Sequence, residues 1–209
     1  MRIESFKNTP DRAGRYWIGF EGGEKIGLYR QTLEDFGLYP GKELGEEEYE
    51  ALIKAAGQMS AKMRAVRIVS ATSVSKKDLR QRLVRKGEDP DQAEEAVAWM
   101  ADMGLVDDRE TALQVVRSCV AKGYGLQRAK QALYEKRIPK EYWEEALEDY
   151  PDQSERIEKF LRSRLDGDSD QKEIKRAVDA LLRRGHSYSA IRRVLNELSF
   201  DTEENFEDM

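Results

Sequence analysis

The sequence predicts a mainly α protein: three tandem three-helix repeats in an elongated array, preceded by a small β-containing appendage made of a hairpin and a helix. Three observations carry this prediction. Apolar residues alternate with a period of two near the N-terminus and follow a helical period from about residue 60 onward. A short pattern ending in a helix stop recurs three times, at offsets of 50 and 48 residues. The composition, 37% charged against 39% hydrophobic in 209 residues, supplies a core yet leaves no apolar run long enough to span a membrane.

The appendage is assigned to residues 1–58. Tyr16, Ile18 and Phe20 alternate with Trp17 and Gly19, Glu21-Gly22-Gly23-Glu24 is a turn signal, and residues 25–30 resume an extended pattern. Residues 32–36 read as a short helix closed by Gly37, and Pro40-Gly41 as a turn. Residues 46–57 are helical, with Tyr49, Leu52, Ile53 and Ala56 on one face. Trp17 either packs the appendage onto the helical body or meets a partner.

The first repeat is assigned to residues 59–106. Met59, Met63, Val66 and Ser70 share a helical face. Ser75-Lys76-Lys77-Asp78 has the form of a capping box and opens a helix that buries Leu79 and Leu83 and stops at Gly87. Asp89-Pro90 opens the next helix, a cap followed by Pro in the first turn, with Ala93, Ala96, Val97 and Met100 inward.

The second and third repeats, residues 107–150 and 151–200, follow from alignment with the first. Leu83 to Gly87 matches Leu133-Tyr134-Glu135-Lys136-Arg137 and Leu181-Leu182-Arg183-Arg184-Gly185. Leu79, Ala129 and Ala177 stand four residues before the leading leucine of each copy, and Ala93, Trp143 and Ile191 six after the stop. A further helix precedes each pair, over 62–70, 108–121 and 154–165. A three-helix unit of this size is marginal alone and gains stability by packing on its neighbours. Such an array offers an extended surface rather than a deep pocket, which favours binding along something long. Residues 201–209 hold five acids and no base and are expected to form an acidic disordered tail.

Charge is distributed in stripes. The whole chain carries a formal −5, but residues 62–90 hold nine basic and three acidic side chains, and residues 152–200 hold eleven and nine. This fits a locally acidic partner. A single cysteine excludes an internal disulfide framework and a Cys-based zinc site, and a single histidine argues against a triad or a His-rich metal site. Cys119 reads as a buried core thiol, and His186 as a turn or capping residue. Asp107, Asp108, Glu141, Glu144 and Glu145 read as helix-start acids, and Gly123-Tyr124-Gly125 as a simple connection. No cofactor or enzymatic activity is expected, and the absence of a signal-peptide core suggests a cytoplasmic protein, expected to be a monomer.

Taken in order, these motifs resemble the RecX family of recombination regulators. The matching residues are Ser75-Lys76-Lys77-Asp78-Leu79 with Leu83 to Gly87, Met103-Gly104-Leu105-Val106-Asp107-Asp108 leading to Ala112, Gly125 with Ala129, Leu133 and Ile138, and Arg183-Arg184-Gly185-His186-Ser187-Tyr188 with Ile191. Thr111, where the family often has an aromatic, and Arg137, where the other two copies have glycine, depart from the pattern. The resemblance implies a modulator of RecA that lodges in the groove of the RecA–single-stranded DNA filament and limits its ATP hydrolysis, strand exchange and coprotease activity in DNA repair and the SOS response. RecA is then the partner, with single-stranded DNA reached through the filament. An autonomous DNA-binding helical module is the alternative.

The candidate binding residues are basic. In the first repeat they are Arg64 and Arg67 on one helix and Lys77, Arg80 and Arg85 on the next. In the third they are Arg176, Arg183, Arg192 and Arg193, facing out while Val178, Leu182, Ile191 and Leu195 face in. Each set either contacts an acidic RecA surface or DNA phosphate, or forms a solvated face.

Overall fold

The computed structural model describes residues 1–198. The acidic tail expected at 201–209 lies outside the described residues. The chain resolves into two compact units, Met1–Asp107 and Asp108–Met209.

The first unit opens with a three-stranded antiparallel sheet of order β1 (Ile3–Phe6), β2 (Tyr16–Phe20), β3 (Lys25–Leu28). The β2–β3 hairpin is the one the alternation predicts, and Gly22 and Gly23 take positive φ at its turn. Strand β1 was not anticipated, and its geometry shows why. Its register shifts between Ile3 and Ser5, which breaks the two-residue period that a sequence reading relies on. Trp17 lies opposite Gly27. Its indole N–H donates to Asp11 at 3.2 Å, and the Arg15 guanidinium stacks 5.1 Å from its ring centroid. The tryptophan therefore closes the loop ahead of β2 instead of bridging to the helices.

Helix α1 (Arg30–Asp35) and the first half of α2 (Glu46–Ala71) cover the sheet, joining Ile3, Ile18, Phe20, Leu28, Leu33, Leu44 and Leu52 in one core. The two stretches read separately as helical, 46–57 and 62–70, are one helix of 26 residues. Its second half belongs to a three-helix unit with α3 (Lys76–Arg85) and α4 (Pro90–Asp102). The buried stripe of α2 is formed by Ala61 and Ala65 rather than by the Met63 and Val66 face, which is half-buried, and Ser70 is exposed. The cause is close packing. Ala61 and Ala65 share a buried core with Ala93 and Ala96 of α4, so small side chains on both helices let them approach. Ser75 Oγ accepts from Asp78 N at 3.1 Å, and Asp89 caps α4 by accepting from Asp91 N and Gln92 N, as the sequence predicts.

The second unit contains two further three-helix units. The first comprises α5 (Asp108–Ala121), α6 (Leu126–Glu135) and α7 (Trp143–Leu147), the last led by a 3-10 turn at Lys140–Tyr142. The second comprises α8 (Ser154–Arg162), α9 (Gln171–Arg183) and α10 (Tyr188–Glu197). Helix α9 opens with a capping box: Asp170 accepts from Glu173 N while Glu173 accepts from Asp170 N. Ile157, Leu161, Ile174, Val178, Leu181, Ile191 and Leu195 form the third repeat's core. Leu182, expected inward, points outward because its neighbour Leu181 already occupies the buried position, about 100° away around the helix.

The stop residues of the three copies behave alike. Gly87, Arg137 and Gly185 have φ of 91°, 55° and 84°, each following a helix that ends two residues earlier. Among the described residues, Arg137 is the one non-glycine with positive φ. The copy that lacks glycine still takes the left-handed turn, at a backbone cost of about 1–2 kcal/mol.

Candidate partner and nucleic-acid interface

Arginine positions decide what each repeat can offer a partner, because a guanidinium already held by a carboxylate has few donors left. In the first repeat most are held. Arg64 Nε donates to Glu88, a buried carboxylate that also accepts from Ser60 Oγ at 3.1 Å. Arg67 Nη2 reaches back to the appendage, donating to Ala13 O at 2.6 Å and to the Tyr29 hydroxyl at 2.8 Å. Arg80 pairs with Glu94 at 2.5 Å and Arg82 with Asp78 at 2.9 Å. Lys77 and Arg85 project from α3 into solvent. Of the five first-repeat candidates, three are engaged within the unit, and Arg64 and Arg67 join elements together.

The second repeat follows the same economy. Arg109 Nε lies 2.8 and 2.9 Å from the two Glu145 oxygens, which holds that carboxyl below its ordinary range. Arg128 pairs with Glu135 at 2.9 Å. Cys119 is buried and its thiol is pushed up by desolvation, consistent with a core residue.

The third repeat differs. Arg176 and Arg183 on α9, with Arg164 and Arg184 just beyond the ends of α8 and α9, line a groove of about 420 Å³ floored by Phe160, Ala177 and Ala180. None of the four guanidiniums has an ion pair or hydrogen bond among the described residues. Arg164 and Arg184 instead stack against Phe160, 5.6 and 4.9 Å from its centroid. Glu173 is the groove's one acid, and its carboxylate is engaged in the α9 capping box. Arg192 is exposed on α10, outside this lining, while Arg193 donates to Ser154 Oγ at 2.5 Å and lies 3.4 Å from Asp152. The structure thus brings together Arg176 and Arg183 of the predicted set. It adds Arg164, Arg184 and Phe160, which sequence reading missed. The adjacent Arg183-Arg184 pair was a visible signal. Arg164 was not, since it follows the end of its helix and no periodicity assigns it a direction.

The loop read as a simple connection, Gly123-Tyr124-Gly125, seats the third repeat against the second. Gly125 N donates to Arg184 O at 2.9 Å, Gln127 N to Gly185 O at 3.1 Å, and the Tyr150 hydroxyl to Tyr124 O at 2.6 Å. His186, buried, donates from Nε2 to Gly123 O across 3.2 Å, and burial lowers its pKa. A Cβ on Gly125 would meet Gly185 O at 2.1 Å, and one on Gly185 would meet Arg128 N at 2.2 Å. Both positions therefore require glycine for the close approach of two backbones. This contact also fixes Arg184 relative to the groove.

One further recurrence concerns the outer surface. Val84, Tyr134 and Leu182 occupy the same position in the three copies, next to leucines that are fully buried, yet they are 36%, 69% and 39% exposed.

Among the described residues no helix is long and apolar enough to cross a membrane, and no three His, Cys, Asp or Glu side chains are grouped to hold a metal ion. Residues 107–147 match the family model for the second three-helix domain of RecX. The Regulatory protein RecX of Clostridioides difficile is 27% identical over 207 residues, 96% of each chain. That of Vibrio parahaemolyticus is 30% identical over 154 residues, 72% of this chain and 97% of the relative. A solved structure of regulatory protein RecX shares the fold with a TM-score of 0.62 at 22% identity, covering 93% of this chain and 98% of that one. RecX from Lactobacillus salivarius aligns with a TM-score of 0.58 at 24% identity, over 69% of this chain and 98% of the other. The relatives are named as regulatory proteins rather than enzymes. Its three helical repeats, its motif order and this similarity across nearly the full length of a curated relative mean that the chain belongs to the RecX family of regulatory proteins.

Proposed function

We propose that this protein regulates RecA by seating its helical repeats on the RecA–single-stranded DNA filament, and that it lowers the filament's ATP hydrolysis, strand exchange and coprotease activity in DNA repair and the SOS response. It acts in the cytoplasm, as a monomer, by contact and without chemistry of its own. The appendage (1–58), the three repeats (59–106, 107–150 and 151–200) and the tail (201–209) are its working divisions. Family membership is the observation that carries the reading.

The surface supports it. A filament repeats one protomer, and a ligand that touches successive protomers gains from effective concentration. The outward apolar residues Val84, Tyr134 and Leu182, one per repeat, suit such divided contact. A filament has active and inactive states, and a ligand shifts between them only through its differential affinity for the two. Saturating amounts must therefore change turnover and not simply coat the polymer. The test is single-stranded-DNA-dependent ATP hydrolysis and strand exchange by RecA with increasing amounts of this protein. A progressive fall in both is expected, and unchanged rates at saturation remove the reading.

A further inference from the structure

We propose that the groove between α8 and α9 binds consecutive phosphates of single-stranded nucleic acid. The argument begins with charge. Elsewhere in the molecule many arginines are paired with carboxylates, from Arg15 with Asp11 to Arg162 with Glu158. Here four guanidiniums share one concavity of about 420 Å³ with a single acid that is already occupied. Like charges gathered this way repel, and an anion removes the repulsion.

Geometry narrows the anion. Arg176 and Arg183 are seven residues apart, so they share a face of α9 and stand about 10 Å apart along its axis. A chain of phosphates can engage both at once with the side chains extended. The guanidinium carbons of Arg164 and Arg184 lie 5.6 and 4.9 Å from the Phe160 ring centroid, a cation–π contact that occupies the ring face and not the N–H donors. A planar fork held in this way suits phosphate oxygens, taken two at a time. The Phe160, Ala177 and Ala180 floor offers flat apolar surface beside the charges. Nucleic acid alternates phosphate with flat, weakly polar bases, and a carboxylate-bearing peptide supplies no such neighbour. Arg184 is additionally fixed by its own carbonyl, which accepts from Gly125 N.

The experiment uses the full chain and a fluorescein-labelled oligothymidylate, followed by anisotropy at several salt concentrations, without RecA. Wild-type protein is expected to bind with an affinity that falls as salt rises. The double variant Arg176→Gln/Arg183→Gln should bind at least tenfold more weakly, and its log–log salt slope should shrink by about 1.4, or 0.7 for each lost phosphate contact on a single strand. The charge-matched control Lys54→Gln/Lys130→Gln, at exposed positions of α2 and α6 outside every candidate set, should change affinity less than twofold. Circular dichroism of both variants establishes that helicity is retained. Absent binding at low salt overturns the proposal, as does equal loss in the two variants. Competition by polyglutamate as effective as that by unlabelled oligonucleotide would assign the groove to acidic protein, and competition by ATP at equal phosphate concentration would assign it to a nucleotide. Either outcome overturns the nucleic-acid assignment. Since RecA is absent, the result is independent of the filament test above.

Discussion

The first and third repeats are built to one plan and use their basic residues in opposite ways. By sequence the first is the more basic, with nine bases against three acids over residues 62–90. By structure its arginines are largely consumed: Arg64 holds buried Glu88, Arg67 ties α2 to the appendage, and Arg80 and Arg82 pair with carboxylates of α4 and α3. The third repeat is nearly balanced in charge, yet it leaves four arginines around one groove. Net charge along a segment measures how many cations the chain supplies. Available cationic surface depends on which of them the fold leaves unpaired.

The sharpest way to break this comparison lies at the helix stops. Gly87 and Gly185 have the same left-handed φ, but a Cβ on Gly87 meets open space while one on Gly185 strikes the Arg128 backbone. Gly185→Ala should therefore lower the denaturant midpoint by the equivalent of about 3 kcal/mol or more, and Gly87→Ala by about 1 kcal/mol. Equal losses would mean that the second and third repeats are not in backbone contact.

The next test separates structural from available arginines. Arg64→Gln strands a buried carboxylate and should cost about 2–3 kcal/mol of stability in urea unfolding. Arg176→Gln, in the groove, should change stability by less than about 0.5 kcal/mol. The reverse order would contradict the assignment of roles.

These expectations show what the sequence made legible. The helix stops, the Ser75 and Asp89 caps, the Leu79 and Leu83 core and the three-copy order are local signals, and all are present in the structure, whereas the inward position of the third copy falls on Leu181 and not on Leu182. Strand β1 was hidden by its register shift, and the buried face of α2 by a small-residue contact that resembles a weak apolar stripe. Half of the groove was legible, because Arg176 and Arg183 project from a periodic helix. Arg164 and the stacking on Phe160 depend on how α8 meets α9, and the seating of Gly125 on Gly185 depends on two loops sixty residues apart. No local pattern encodes such pairings.

A smaller effect concerns pH. His186 is buried at the junction of the second and third repeats, and its pKa is lowered by desolvation ahead of any other cause. A base with a depressed folded pKa binds protons more readily when unfolded, so its contribution is present above the ordinary imidazole value of about 6.5 and is lost as pH falls below it. Urea midpoints measured from pH 7.5 to 5 should decline with this signature in the wild type, and the decline should flatten in His186→Gln.

The smallest predicted effect is at Arg137, which takes the left-handed turn that glycine fills in the other two copies. Arg137→Gly should stabilise the protein by about 0.5–1 kcal/mol, read as a raised thermal midpoint. A loss would mean that the contacts of the Arg137 side chain outweigh its backbone strain.

The most direct measurement titrates this protein into a RecA ATP-hydrolysis assay on single-stranded DNA, alongside its Arg176→Gln/Arg183→Gln and Lys54→Gln/Lys130→Gln variants. Inhibition by the wild type, retained by the Lys54/Lys130 variant and weakened several-fold in the third-repeat variant, is the predicted result. Undiminished hydrolysis at saturating wild-type protein would contradict the account at its base.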